Sequence, residues 1–161
     1  MTLTTSQKTK LNRSNRAMQD ASVGTLLGQM ESGDAGVLRK ITETVLYSQF
    51  TDGGSTSGTF TLTAGTIPAG AIVLFSSVSA ITGFTGDTSA VITIGDGTDV
   101  DRYNTGTPSV FTTAANGVSV GAPSGTQYHT AGKSVVLTVT SATDFGAVSA
   151  GSVTVNLYYL A

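Results

Sequence analysis

Gly58-Thr59-Phe60-Thr61-Leu62-Thr63 alternates small or polar side chains with large apolar ones and halts at Ala64-Gly65; beyond Ile67-Pro68-Ala69-Gly70 follows the apolar run Ala71-Ile72-Val73-Leu74-Phe75, continued by Ser76-Ser77-Val78-Ser79. A period of two sends successive side chains to opposite faces of an extended chain, so this stretch reads as two strands joined by a turn. The same period extends outward on both sides. Upstream, Ile41, Val45 and Tyr47 alternate with Thr42, Thr44 and Ser48, and Phe50 leads into the turn-rich Thr51-Asp52-Gly53-Gly54-Ser55. Downstream, Ser89–Gly95, Lys133–Thr140 and Gly151–Leu160 read as strands, with shorter candidates at Val100–Tyr103, Ser109–Thr113 and Gln127–Thr130. Turn signals recur at the spacing of a sandwich or barrel, and no helical pattern falls between the strands to support a parallel sheet. The expected fold is all-β: an antiparallel jelly-roll-like sandwich of about eight to ten strands, or a related barrel.

Composition agrees. Of 161 residues, 28 are Thr, 18 Ser and 20 Gly, while only 11% are charged. Threonine and valine suit strands and are poor helix formers, which excludes a helical bundle. A hydrophobic content of 39% with so little charge excludes a disordered chain. Cysteine is absent, which removes disulfides, thiolate nucleophiles and cysteine zinc sites. The apolar runs are strand-length, far short of the ~20 residues that span a bilayer. The N-terminus, Met1-Thr2-Leu3-Thr4-Thr5-Ser6-Gln7-Lys8, lacks the apolar core of a signal peptide, so the expectation is a protein made in the cytoplasm.

Charge divides the chain in two. Residues 1–40 hold six basic and three acidic side chains, +3, and residues 41–161 hold two basic and seven acidic ones, −5. Within the first part Lys8, Lys10, Arg13 and Arg16 precede any acid, and Met18, Ala21, Leu26 and Met30 form a loose helical stripe. Gly24 and Gly28 interrupt that stripe, each costing a helix about 1 kcal/mol relative to alanine. Residues 1–40 therefore read as a basic arm, extended or partly helical, that gains order from a partner, and residues 41–161 as the β-domain.

Few residues offer chemistry. Gly95-Asp96-Gly97-Thr98-Asp99-Val100-Asp101 places three carboxylates in a glycine-rich turn, as a calcium loop does, but lacks the terminal glutamate of an EF-hand. The expected state is a solvated turn partly neutralised by Arg102, with no metal. His129 is the only histidine; no Gly-x-Ser-x-Gly elbow marks a nucleophile for it to activate, and no catalytic residue is assigned. Among the acids after residue 41, Glu43 alone is expected on a strand, the others falling in turns. Tyr158 and Tyr159 are neighbours on the last strand, so one must be core and the other outward, exposed or in a subunit contact.

Three segments carry a resemblance: Thr66-Ile67-Pro68-Ala69-Gly70-Ala71-Ile72-Val73-Leu74, Thr93-Ile94-Gly95-Asp96-Gly97-Thr98-Asp99-Val100-Asp101-Arg102-Tyr103 and Ser149-Ala150-Gly151-Ser152-Val153-Thr154-Val155-Asn156-Leu157-Tyr158-Tyr159. Over residues 41–161 the chain resembles the small decoration, or cement, proteins of tailed bacteriophage capsids. The resemblance implies a β-sandwich or barrel on the outer capsid surface beside the major capsid protein, commonly a homotrimer at threefold positions, with no enzymatic activity and no cofactor. The basic arm lies outside the resemblance; its four cations are expected to reach an acidic capsid surface.

Two other function classes remain open at this level. A receptor- or carbohydrate-binding module of a phage fibre would present exposed aromatics, against which stand the absence of Trp and an aromatic content of 7%. A nucleic-acid-associated virion protein would use Lys8, Lys10, Arg13 and Arg16 on phosphates, a weak footprint on a chain of pI about 5.1.

Overall fold

The computed structural model describes residues 36–111, 118–121, 123 and 128–161. The basic arm up to residue 35 lies outside these, with its expected conformation, as do parts of the short strand candidates Ser109–Thr113 and Gln127–Thr130. Eight strands follow in order: β1 (Leu38–Leu46), β2 (Thr51–Asp52), β3 (Ser57–Ile67), β4 (Ile72–Thr85), β5 (Ala90–Gly95), β6 (Val118–Gly121), β7 (Lys133–Ser141) and β8 (Ala150–Leu160). β1 starts at Leu38, so Arg39 and Lys40 belong to a strand. Tyr47 leaves it for a 3-10 turn, Tyr47–Gln49, where the Gln49 side chain accepts from the Leu46 amide at 2.8 Å.

The strands form two four-stranded antiparallel sheets, in the orders β1-β8-β4-β6 and β2-β3-β7-β5. The pairing runs in reverse sequence order: β1 with β8, β3 with β7, β4 with β6. The series closes where β5 meets residues 108–110, through Ile92 N to Pro108 O at 3.1 Å and Val110 N to Ala90 O at 2.9 Å. One long antiparallel ribbon folded over itself in this way is a jelly roll. Two separate sheets make it a sandwich rather than a closed barrel. The expected strand Val100–Tyr103 is instead a turn, because Tyr103 N and the Asn104 side chain fold back onto the backbone of Ile94.

Alternation builds the core. Val153, Val155, Leu157 and Tyr159 of β8 face Val135, Leu137 and Val139 of β7 and Ile92 and Ile94 of β5, all buried. The sandwich has two distinct ends. One gathers Leu38, Ile67, Ile72, Gly95, Lys133 and Leu160; the other gathers Leu46, Ser57, Thr85, Ala90, Ser141 and Ala150. Phe50 plugs the second end, its ring 5.9–6.0 Å from those of Phe60, Phe84 and Phe145. Gly58 makes room for that plug, since a Cβ there would collide with the Phe145 ring.

Glu43 ties the two sheets together. β3 loses its register between Thr61 and Thr66, which leaves amides without ladder partners. The Glu43 carboxylate on β1 accepts from Thr63 N and Ala64 N at 2.7 and 2.8 Å and from the Thr63 hydroxyl at 2.7 Å. The acid expected on a strand is thus a clamp on a bulge. Asp52, expected in a turn, falls at the end of the two-residue β2 and accepts from Gly54 N at 2.8 Å.

Candidate functional site

The arm cations Lys8, Lys10, Arg13 and Arg16 lie outside the described residues. The acidic turn is described in full, and it is not solvated at its centre. Gly95 lets the turn close on itself: a Cβ there would collide with the Asp99 carbonyl oxygen. Asp96 Oδ1 accepts from the amides of Thr98 and Asp99, both at 3.0 Å. Asp96 Oδ2 faces Arg102 Nε at 2.9 Å and Lys133 Nζ at 3.2 Å, and the carboxylate is fully buried. Burial opposes its ionisation, but the amides of Asp99 and Thr98 and the cations Lys133 and Arg102 outweigh burial and hold its pKa below the usual carboxylate range. Asp101 is pushed up, chiefly by its hydrogen bond with Asp99. Among the described residues no group of three or more His, Asp or Glu side chains converges as metal ligands would. Asp96 is a hub that fastens the turn to β7.

His129 sits beside this hub, buried, with its ring edge-on to Tyr103 at 5.6 Å between centroids. Its backbone clamps the turn between β3 and β4: Gly70 N donates to His129 O at 2.7 Å and His129 N to Ala71 O at 3.0 Å. Neither His129 Nε2 nor the Tyr103 hydroxyl has a hydrogen-bond partner among the described residues. Burial lowers the His129 pKa, Arg102 and Lys133 lower it further, and Asp96 opposes them. The imidazole is a packed group under the turn, with its ring committed to Tyr103.

The feature of the surface that stands out is apolar. The two adjacent tyrosines divide as alternation requires, Tyr159 buried and Tyr158 on the outer face of the β1-β8-β4-β6 sheet. There the Tyr158 ring stacks on Phe75 with centroids 4.3 Å apart and planes 19° from parallel. Lys40 from β1 stands over the ring, 6.0 Å from its centroid. The next row outward is Leu38, Leu160, Ile72 and Tyr128, joined by the pairings Leu38–Leu160, Ile72–Leu160 and Ile72–Tyr128. Leu38 is 58% exposed, Tyr128 52% and Phe75 42%. Toward the middle of the sheet the face turns polar: Thr42 donates to Asn156, whose amide reaches Ser79 at 3.1 Å, and Thr44 and Thr154 share a 2.8 Å hydrogen bond.

Sequence reading named one tyrosine of this patch and missed Leu38, Ile72, Phe75 and Tyr128. A strict period of two puts Phe75 on the same face as the buried Val73. The register slips between those two residues, so Val73 pairs with inward Tyr159 and Phe75 with outward Tyr158. The signal that was present is the length of the apolar run Ala71–Phe75, one side chain more than two faces of a short strand need.

Charge is also segregated. Arg39, Lys40, Arg102 and Lys133, all four basic side chains of the described residues, lie at the Leu38 end together with Asp96, Asp99 and Asp101. The opposite end carries Asp52, Asp87 and Asp144 with no basic side chain among the described residues. Each of those acids holds a turn amide, as Asp87 holds Thr143 N at 2.9 Å and Asp144 holds Gly146 N at 3.0 Å.

No family model matches the chain, and no curated protein does. Among solved structures, a chain of the cyanophage Pam1 capsid asymmetric unit matches with a TM-score of 0.57 at 19% identity, over 78% of this chain and 85% of that one. A chain of the acid-stable capsid of Helicobacter pylori bacteriophage KHP30 matches with a TM-score of 0.40 at 15% identity, over 78% and 94%. A family two carbohydrate esterase from Cellvibrio japonicus gives a TM-score of 0.26 at 13% identity, over 76% of this chain and 34% of that one. The first match shares the fold.

Proposed function

We propose that this protein is a structural component of a phage virion that binds the outer surface of the mature capsid and stabilises it: a decoration, or cement, protein without enzymatic activity or cofactor. The observation that carries the reading is the jelly roll itself, shared with a chain of the cyanophage Pam1 capsid at a TM-score of 0.57 over most of both chains. The sequence resemblance to decoration proteins supports it independently. So does the chemistry of the β-domain, whose buried carboxylate holds a turn and whose exposed large apolar side chains gather at one end. Binding that favours the assembled shell stabilises it by mass action, and repetition over many sites multiplies a modest energy per site. Its partner is the major capsid protein, its location the capsid surface after assembly in the host cytoplasm, and its state a homotrimer whose contacts would cover exposed strand edges. Neither nucleic acid nor a membrane is a partner in this reading.

The arm cations Lys8, Lys10, Arg13 and Arg16 contribute attraction to an acidic lattice that weakens as salt rises. The carbohydrate-binding alternative needs an aromatic face open to a sugar: Tyr158 stacks on Phe75 and lies beneath Lys40, which leaves Tyr128, 52% exposed, as the ring through which it would act. Co-sedimentation with expanded and unexpanded capsids tests the proposal. Binding to expanded shells with a rise in their disruption temperature is expected. Strong binding to a glycan array with no sedimentation on either shell would replace it with the module.

A further inference from the structure

We infer that the apolar patch at the Leu38 end, built from Leu38, Ile72, Phe75, Tyr128 and Tyr158, is the surface that meets the capsid, and that its counterpart is an apolar protein surface rimmed by acids. This rests on the capsid-binding reading and adds which face makes the contact. Six large hydrophobic side chains are exposed among the described residues, and five of them, Leu38, Ile72, Phe75, Val100 and Tyr128, sit at this one end. In a chain with only 11% charged residues, large apolar side chains exposed together at one end mark a contact surface.

Two further observations point to an acid-rimmed occupant. The basic side chains of the described residues are gathered at this end: Lys40 stands over the Tyr158 ring within the patch, Arg39, paired with inward Tyr159, lies on the opposite face, and Arg102 and Lys133 meet Asp96, while the far end carries Asp52, Asp87 and Asp144 and no basic side chain among the described residues. The chain also enters the β-domain here, because Leu38 directly follows the segment that carries Lys8, Lys10, Arg13 and Arg16. The basic segment is therefore joined to the β-domain at the end that carries the patch. A second copy fits less well. An isologous contact would set Lys40 against its own equivalent, and a head-to-tail contact with the acidic end generates filaments unless its rotation closes.

The aromatic stack suits a protein partner. Tyr158 stacks on Phe75 and lies beneath Lys40, while Tyr128 and Leu38 beside them stay more than half exposed, an apolar cluster of the kind that anchors protein contacts.

The test uses the full chain and expanded phage capsids lacking this protein, with affinity measured by sedimentation. Four proteins are compared: wild type, Phe75→Ser with Tyr128→Ser, Lys40→Glu, and a control, Thr59→Glu with Thr61→Glu, on the outer face of the other sheet. Thermal melting and light scattering establish folding and self-association for each. The expected result is a loss of at least about tenfold for the aromatic variant, a smaller loss that shrinks with salt for the charge variant, and a control within about twofold of wild type. Should the aromatic variant misfold, the exposed charge variant still reports the same face. Aromatic and charge variants that bind like wild type overturn the inference while leaving the capsid reading intact. An aromatic variant that loses self-association but keeps its capsid affinity assigns the patch to a second copy, which also overturns it. A wild-type chain that binds no shell removes the capsid reading, and the inference with it.

Discussion

Asp96→Asn is the most informative single substitution in the β-domain, because it is nearly isosteric and changes one oxygen. The amide oxygen of the new side chain can still accept from Thr98 N and Asp99 N, so the turn keeps its local bonds. The other atom becomes an NH₂ pointing at Arg102 Nε and Lys133 Nζ, which the wild-type carboxylate contacts at 2.9 and 3.2 Å. The contacts at Oδ2 are ion pairs rather than aligned hydrogen bonds, and removing one partner of a buried ion pair costs about 3–5 kcal/mol. The side chains of Arg102 and Lys133 are 20% and 38% exposed, so both recover part of their hydration and the lower figure applies. The expected cost is about 3 kcal/mol, or roughly 10 °C in melting temperature for a domain of this size. Circular dichroism melting at pH 7 measures it. Because Asp96 titrates below the usual range when folded, its contribution is present above about pH 4 and fades as pH falls through its folded pKa. The gap between wild type and variant should therefore narrow in acid. EDTA should leave wild-type melting unchanged, since cations of the chain itself occupy the carboxylate. A variant that melts within about 1 °C of wild type at pH 7 would refute the hub and restore the solvated turn.

His129 predicts a second, milder pH dependence. Its folded pKa lies below 6.5, so the unfolded chain takes up the proton first and stability declines as pH falls below about 6.5. His129→Phe keeps a ring against Tyr103 and should flatten the decline between pH 7 and pH 5 in urea titrations; an unchanged slope would exclude His129 as its source. Glu43→Ala removes all three bonds to Thr63 and Ala64 and should cost about 1–2 kcal/mol. Glu43→Gln keeps an oxygen for the two amides and should recover most of that loss in the same unfolding experiment, whereas equal losses for both variants would point to charge rather than geometry.

The jelly roll was legible because its information is local. Alternation in Thr59–Thr63, Ser134–Thr140 and Gly151–Leu160 depends on neighbours two residues apart, and the turn chemistry of Pro68-Ala69-Gly70 needs only itself. Tyr158 and Tyr159 were correctly divided between faces by the same logic, though alternation alone cannot say which is inside. Three details were not legible, each for a non-local reason. Asp96 reads as exposed in a Gly-Asp-Gly turn; its burial depends on Lys133, 37 positions away. Glu43 reads as an odd acid on a strand until the bulge in β3 supplies amides to it. Phe75 reads as inward until the slip against β8 turns it out.

The same non-locality governs the charge pattern, and there it bears on function. Along the sequence, charge separates a basic arm of +3 from a body of −5. In the fold that division is redrawn: Arg39 and Lys40, counted with the arm, lie on β1, and register brings Arg102 and Lys133 to the same end of the sandwich. Three acids with no ion pair, Asp52, Asp87 and Asp144, collect at the other end, and Glu43 in mid-strand holds the β3 bulge. A chain that looks like a basic tail on an acidic body becomes a domain with one apolar end, where four cations lie among Asp96, Asp99 and Asp101, and one polar end whose charges are all acidic among the described residues. In the proposed capsid reading, that difference between the two ends sets one docking orientation over its inverse.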